Sequence, residues 1–115
     1  MKVAIPTDDG IHVSDKFGHV QHFFVMDIKA NQTEMRHNDT EGEVHRSHRH
    51  MRADKVLVIL SDVDVVITSH IGKPMIERML SAGKMIYIAP KRIKIEDALR
   101  LYFEGKLKRI LKITN

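Results

Sequence analysis

The chain contains no cysteine. That absence excludes disulfides, thiolate zinc sites, cysteine nucleophiles and iron–sulfur clusters held by thiolates of its own. No apolar run approaches the roughly 18–20 residues that span a bilayer, so neither a transmembrane helix nor a membrane partner is expected. The opening, Met1-Lys2-Val3-Ala4-Ile5-Pro6, lacks the apolar core and small-residue cleavage site of a signal peptide. A cytoplasmic location is the corresponding expectation. There is no internal repeat, no low-complexity stretch, no interdomain linker and no run of consecutive histidines at either end. What remains is 115 residues of globular composition, enough for one core but too few for two. We expect a single domain over residues 1–107 and a basic tail over 108–115.

The net charge of +4 is unevenly placed, because residues 91–115 carry 8 basic and 3 acidic side chains. A basic terminal segment can serve an interaction module or touch nucleic acid. The segment has little aromatic surface for stacking bases, so a solvated helix face is the simpler reading and a nucleic-acid partner is not expected.

Histidine is abundant, with 8 in the chain. His45, His48 and His50 fall within six residues, and imidazole suits zinc, copper, iron and nickel. His45 and His48 share a face on a helix, His48 and His50 only in an extended chain. With Ser47 as N-cap, His48 and His50 sit in a first helical turn, whose dipole favours neutral rings and attracts anions. The alternative is a polar loop of solvated histidines. The seven methionines raise a copper reading, but Met75 and Met79 lie on an expected core face.

Along the chain, residues 2–6 and the aromatic run 22–28 read as strands, with a turn at Asn31-Gln32 leading to a third strand over 33–38. Residues 39–47 read as a polar loop, and a helix is predicted over about 48–61. The apolar run 64–68 suits a strand buried on both faces. A helix begins near Pro74 and ends at Gly83, a fifth strand covers 85–89, and a third helix runs over about 95–104 to Gly105. Leu107, Ile110 and Leu111 read as a final amphipathic turn. The order predicts an α/β fold of ribonuclease H-like type: three layers, a five-stranded mixed sheet of order 3-2-1-4-5 with strand 2 antiparallel, and helices on both faces. Ligands in open α/β sheets favour the carboxyl ends of strands where the order switches. Here those are the loops after strand 1 (residues 7–10) and strand 4 (residues 69–72).

Val3-Ala4-Ile5-Pro6-Thr7-Asp8-Asp9-Gly10, then Val13-Ser14, Phe17-Gly18-His19 and Phe23-Phe24, resemble the dinitrogenase iron–molybdenum cofactor biosynthesis family. So do Asp64-Val65-Val66-Ile67, Ile71-Gly72, Ala82-Gly83, the stretch from Tyr87 to Pro90, Glu96-Asp97-Ala98-Leu99 and Glu104-Gly105-Lys106-Leu107. The resemblance extends to about residue 107. It departs at Ser69-His70, where the family favours small residues, and at Lys94, where it favours a Ser or Thr N-cap. It implies the ribonuclease H-like fold and a carrier rather than an enzyme. The implied cargo is an iron–sulfur or iron–molybdenum-type cluster, or a transition metal ion, and the implied partner a cluster-assembly or acceptor protein. Without cysteine, such a cluster is expected preformed, held by histidine, backbone N–H groups or charge.

The candidate metal ligands are His45, His48, His50 and His70. The candidate cofactor-binding residues are Thr7, Asp8, Gly10, His19, Ser69 and Gly72, with the Gly10 and Gly72 loops cradling an anionic face. His12 lies in the same loop region, and His22 and His37 fall on predicted strands as weaker candidates. A metal-dependent hydrolase is the third reading, since nucleases with this fold hold two divalent ions between carboxylates. Its carboxylates are Asp8, Asp9, Asp62 and Asp64, but the last two belong at the opposite end of the sheet from the first two.

Overall fold

A computed structural model of the chain describes residues 1–38 and 49–112, with the side chains of 49–52 excepted. The strands are β1 Lys2–Thr7, β2 His22–Asp27, β3 Gln32–His37, β4 Val65–Thr68, β5 Met85–Ile88 and β6 Lys108–Ile110. The helices are α1 Arg49–Ile59, α2 Lys73–Ser81 and α3 Ile95–Phe103, and a single 3-10 turn covers Phe17–His19. The expected N-cap, Ser47, lies outside the described residues.

The strands form one mixed sheet of order β3-β2-β1-β4-β5-β6. β2 runs antiparallel to β1 and β3, whereas β4 runs parallel to β1 and β5. The expected order and the reversed strand 2 are therefore present, but the sheet has six strands, not five. The sixth is Lys108–Ile110, expected as the start of a basic tail, which pairs antiparallel with β5 through Ile86↔Ile110 and Ile88↔Lys108. Its Lys108 and Arg109 are exposed. Charged side chains on an edge strand discourage pairing with another chain.

Two apolar clusters sandwich the sheet. On one face Ala4, Phe23, Val25, Val66 and Ile86 meet Val56, Leu60, Met75 and Met79 from α1, α2 and the segment after α1. On the other, Val3, Ile5, Val65 and Ile67 meet Ile95 and Ala98 of α3. Met75 and Met79 are thus core side chains. Val65, Val66 and Ile67 are each 0 % exposed, as a central strand covered on both faces requires.

At the amino end of the sheet, Lys84 is buried and donates to the carbonyls of Leu60 (2.8 Å) and Val63 (2.7 Å). Burial pulls its ammonium below the ordinary lysine value, and the charges of Asp64 and Asp62 oppose that pull. Asp62 and Asp64 both lie at this end, bound to the Lys2 ammonium and the Lys2 N–H. Asp8 and Asp9 follow β1 at the other end. The four carboxylates considered for a nuclease are therefore divided between two ends of the sheet.

At the carboxyl end β1 and β4 no longer pair. Their pairing covers Val3↔Val65 and Ala4↔Val66. Pro6, two residues on, has no N–H to give to a ladder. The returning chain occupies this region: the Ser14 N–H donates to the Pro6 carbonyl (2.8 Å), and Thr68 Oγ1 lies 3.4 Å from the Ser14 carbonyl. The switch in strand order is where α/β folds place ligands, but here the returning chain itself fills the space between β1 and β4.

Candidate functional site

Two loops from distant parts of the sequence meet at this end. Residues 11–13 run antiparallel to residues 93–95 through a His12↔Lys94 bridge. Val13 N–H donates to the Ile93 carbonyl (2.9 Å) and Ile95 N–H to the Ile11 carbonyl (2.8 Å). The bridge draws the turn before α3 against the loop after β1. Between them lies an open cleft of about 390 Å³, lined by Asp8, Asp9, His12, Ser14, Asp15 and Lys16 from the first loop and by Lys91 and Arg92 from the second.

The first loop is organised by Asp9. Its Oδ1 accepts from the N–H groups of Ile11 and His12, each at 2.8 Å, and from Thr7 Oγ1 at 3.2 Å. Its Oδ2 lies 2.7 Å from His12 Nδ1. These bonds, the His12 N–H first and then the His12 ring and the Ile11 N–H, hold the Asp9 carboxyl well below the usual carboxylate range. Thr7 is fully buried, and its Oγ1 accepts from the Gly10 N–H at 2.9 Å. Gly10 has a φ of +77°, a left-handed conformation that a Cβ would strain. Asp8 turns the other way, accepting from the Gln21 N–H (3.0 Å) and Ser14 Oγ (3.4 Å). Both carboxylates are thus engaged with their own loop.

A carboxylate on Nδ1 fixes the proton there and leaves Nε2 as the free lone pair, the arrangement that orients histidine ligands in metal sites. Opposite His12, the Ile93 N–H faces the Pro90 carbonyl at 3.4 Å, closing a turn in which Arg92 adopts a φ of +60°. That position ordinarily takes Gly or Asn. Lys16, Lys91 and Arg92 form no ion pair among the described residues. The cleft therefore offers one oriented imidazole and three cations without an ion-pair partner among the described residues, set beside the carboxylates of Asp8, Asp9 and Asp15.

The predicted site residues separate into groups. Asp8 lines the cleft, and Thr7 and Gly10 shape its loop. His19 ends the 3-10 turn and is exposed. Ser69 donates to the Pro90 carbonyl (3.1 Å), bracing the turn that carries Lys91 and Arg92. His70 is exposed, and its carbonyl accepts from Thr68 Oγ1 (2.9 Å). Gly72 is the N-cap of α2, with Pro74 in the first turn. Neither His70 nor Gly72 is among the described residues that line the cleft. His45 and His48 lie outside the described residues, as does the side chain of His50, whose backbone begins α1. Among the described residues, no three His, Asp or Glu side chains are grouped to hold a metal ion. None of the described helices is long and apolar enough to cross a membrane.

Lys16, Lys91 and Arg92 belong to no motif in the sequence, and His12 on its own reads as a surface residue of the loop. The signal available for His12 was its i, i+3 spacing from Asp9. No local pattern could link it to residues 91–92.

Solved structures match over nearly the full length. The apo form of the orange protein from Desulfovibrio gigas matches with a TM-score of 0.82 at 15 % identity, over 99 % of this chain and 96 % of that one. A putative NifB protein from Thermotoga, described as belonging to the DUF35 family, matches with a TM-score of 0.76 at 24 % identity, over 99 % and 97 %. At these identities the likeness establishes the fold. No curated protein matches. The model of the family described as dinitrogenase iron-molybdenum cofactor matches residues 1–105, nearly the full length, and the chain belongs to that family.

Proposed function

We propose that this protein is a non-enzymatic carrier of a preformed anionic metallocluster of the iron–sulfur or iron–molybdenum type. The observation that carries the reading is the Asp9–His12 pair on the wall of a cleft that also holds Lys16, Lys91 and Arg92. Such clusters commonly bear negative charge, which Lys16, Lys91 and Arg92 would attract while Asp8 and Asp9 are turned to donors of their own loop; the Asp15 carboxylate opposes that attraction. An imidazole oriented through Nδ1 offers Nε2 to an exposed metal site. The donor set suits cargo delivered whole. With no cysteine in the chain, the protein cannot build a thiolate-ligated cluster on itself. An open cleft with one oriented ligand also suits release to an acceptor protein. The family name and the apo state of the orange protein support the same reading. A cytoplasmic site of action and a ribonuclease H-like description of the fold belong to it as well.

The test is anaerobic titration of the full chain with iron–molybdenum cofactor and, separately, a synthetic iron–sulfur cluster, followed by absorbance and metal analysis. His12→Ala and a His45→Ala/His48→Ala/His50→Ala triple variant are titrated beside it. Stoichiometric binding lost in His12→Ala supports the cleft as the carrier site. Loss in the triple variant alone moves the site to the histidine-rich segment. Absence of binding by the native chain rejects the carrier reading.

A further inference from the structure

His22 opens β2 and His37 closes β3, and they stand directly opposite each other in the antiparallel register. Side chains at paired positions project from the same face of the sheet. Their ring centroids are 5.5 Å apart, inclined at 60°. His22 is half-buried and His37 exposed. Neither ring makes a hydrogen bond or ion pair among the described residues, although each could make two. Metal–imidazole nitrogen bonds of about 2.0–2.1 Å place two rings on one ion with centroids roughly 4.5–6.3 Å apart, for angles at the metal from about 90° to 180°. The observed spacing falls within that range.

We infer that His22 and His37 form a two-imidazole clamp for a late first-row divalent ion, with Cu2+ held most tightly. Two neutral imidazoles without carboxylate or thiolate suit this class, and affinity rises through nickel to copper and falls again at zinc. The β2–β3 ladder already fixes both Cα positions, so little chain entropy is lost when the ion binds. Water or an external ligand completes the coordination. The clamp uses none of the cleft residues. It lies near the loop that carries Asp8 and Asp9, since His22 pairs with Thr7 at the end of β1. The local sequence gives little sign of it, because the two histidines are separated by the β2–β3 turn and meet only through pairing.

The test uses the full chain in a His45→Ala/His48→Ala/His50→Ala background, which removes competing histidines of the 45–50 segment. Cu2+ and Zn2+ are titrated by calorimetry, and the copper form is examined by electron paramagnetic resonance. One equivalent of Cu2+ with hyperfine splitting from two imidazole nitrogens is expected, with weaker Zn2+ binding. Adding His37→Ala should weaken Cu2+ binding at least tenfold and remove one nitrogen coupling. His37 is exposed, and far-ultraviolet circular dichroism confirms that each variant is folded. No Cu2+ binding in the background chain, or binding unchanged by His37→Ala, overturns the proposal. Cluster binding at the cleft is unaffected by either result.

Discussion

The carboxylate of Asp9 lies 2.7 Å from Nδ1 of His12, while its other oxygen accepts from the backbone N–H groups of Ile11 and His12. One side chain thereby sets both the loop and the orientation of its imidazole. Asp9→Asn keeps a carbonyl oxygen for the backbone donors but removes the charge that fixes the ring. We expect cluster affinity to fall about 10–100-fold, as for other partners that orient ligating histidines, with a smaller loss of urea stability from the missing carboxylate. Parallel titration and unfolding curves check this. Equal affinity in the variant would mean that His12 is not a ligand.

The cations should act through charge. Lys16→Ala and Lys91→Ala are each expected to weaken cluster binding by roughly two- to fivefold, the range of exposed ion pairs. They should also flatten its salt dependence, because each removes one screened attraction. Binding measured between low and moderate salt distinguishes this from a change of shape, which would lower affinity without altering the slope.

Arg92 sets function against stability. It occupies the left-handed region at φ +60°, a conformation that costs an L residue about 1–2 kcal/mol. Arg92→Gly removes that strain but loosens the unfolded chain by about 0.4–1 kcal/mol. A net gain of up to about 1 kcal/mol is expected in thermal or urea unfolding, together with weaker cluster binding. A variant that is less stable would show that the Arg92 side chain contributes to the fold.

Acid should undo a tie at the opposite end of the sheet. Arg36 holds Asp62 through two nitrogens, at 2.6 and 2.9 Å, and also donates to the Ile59 carbonyl at 2.8 Å. Arg36 first, then Lys2, holds the Asp62 carboxyl well below the usual carboxylate range. The unfolded chain, titrating near 3.8, then binds more protons than the native one just below that pH, so stability falls as the pH falls. Asp62→Asn is expected to cost about 1 kcal/mol at pH 7, a modest figure because the side chain is 44 % exposed. The difference from the native chain should shrink towards pH 3. Urea unfolding at both pH values checks it, and a gap of equal size at the two would contradict the assignment.

Lys84 predicts a larger loss. Lys84→Met keeps much of the aliphatic stem but leaves the Leu60 and Val63 carbonyls without their donor. Unpaired buried acceptors cost about 1–3 kcal/mol each, and partial access to water should bring the total to about 2–3 kcal/mol. Chemical denaturation measures it directly.

The sequence by itself determined most of the architecture, because its main signals are local. Val65, Val66 and Ile67 form an apolar run that only a strand covered on both faces can bury. Pro74 and Gly83 bracket α2, and the spacing of Met75 and Met79 turns one face of that helix inward. These elements, joined in order, lead to the sheet order from β3 to β5. The sixth strand was different. Lys108-Arg109-Ile110 carries no strand pattern of its own, and pairs because β5 presents an open edge. The Thr7–Gly10 loop was legible as a place for a ligand, since a polar turn after the first strand marks a strand end. Its chemistry was not. His12 meets Lys91 and Arg92 only through the bridge to Lys94, and His22 meets His37 only through register. Which distant side chains share a surface depends on backbone hydrogen bonds between segments far apart in the chain. Such bonds form between the same N–H and C=O groups whatever the side chains, and only the folded chain selects them.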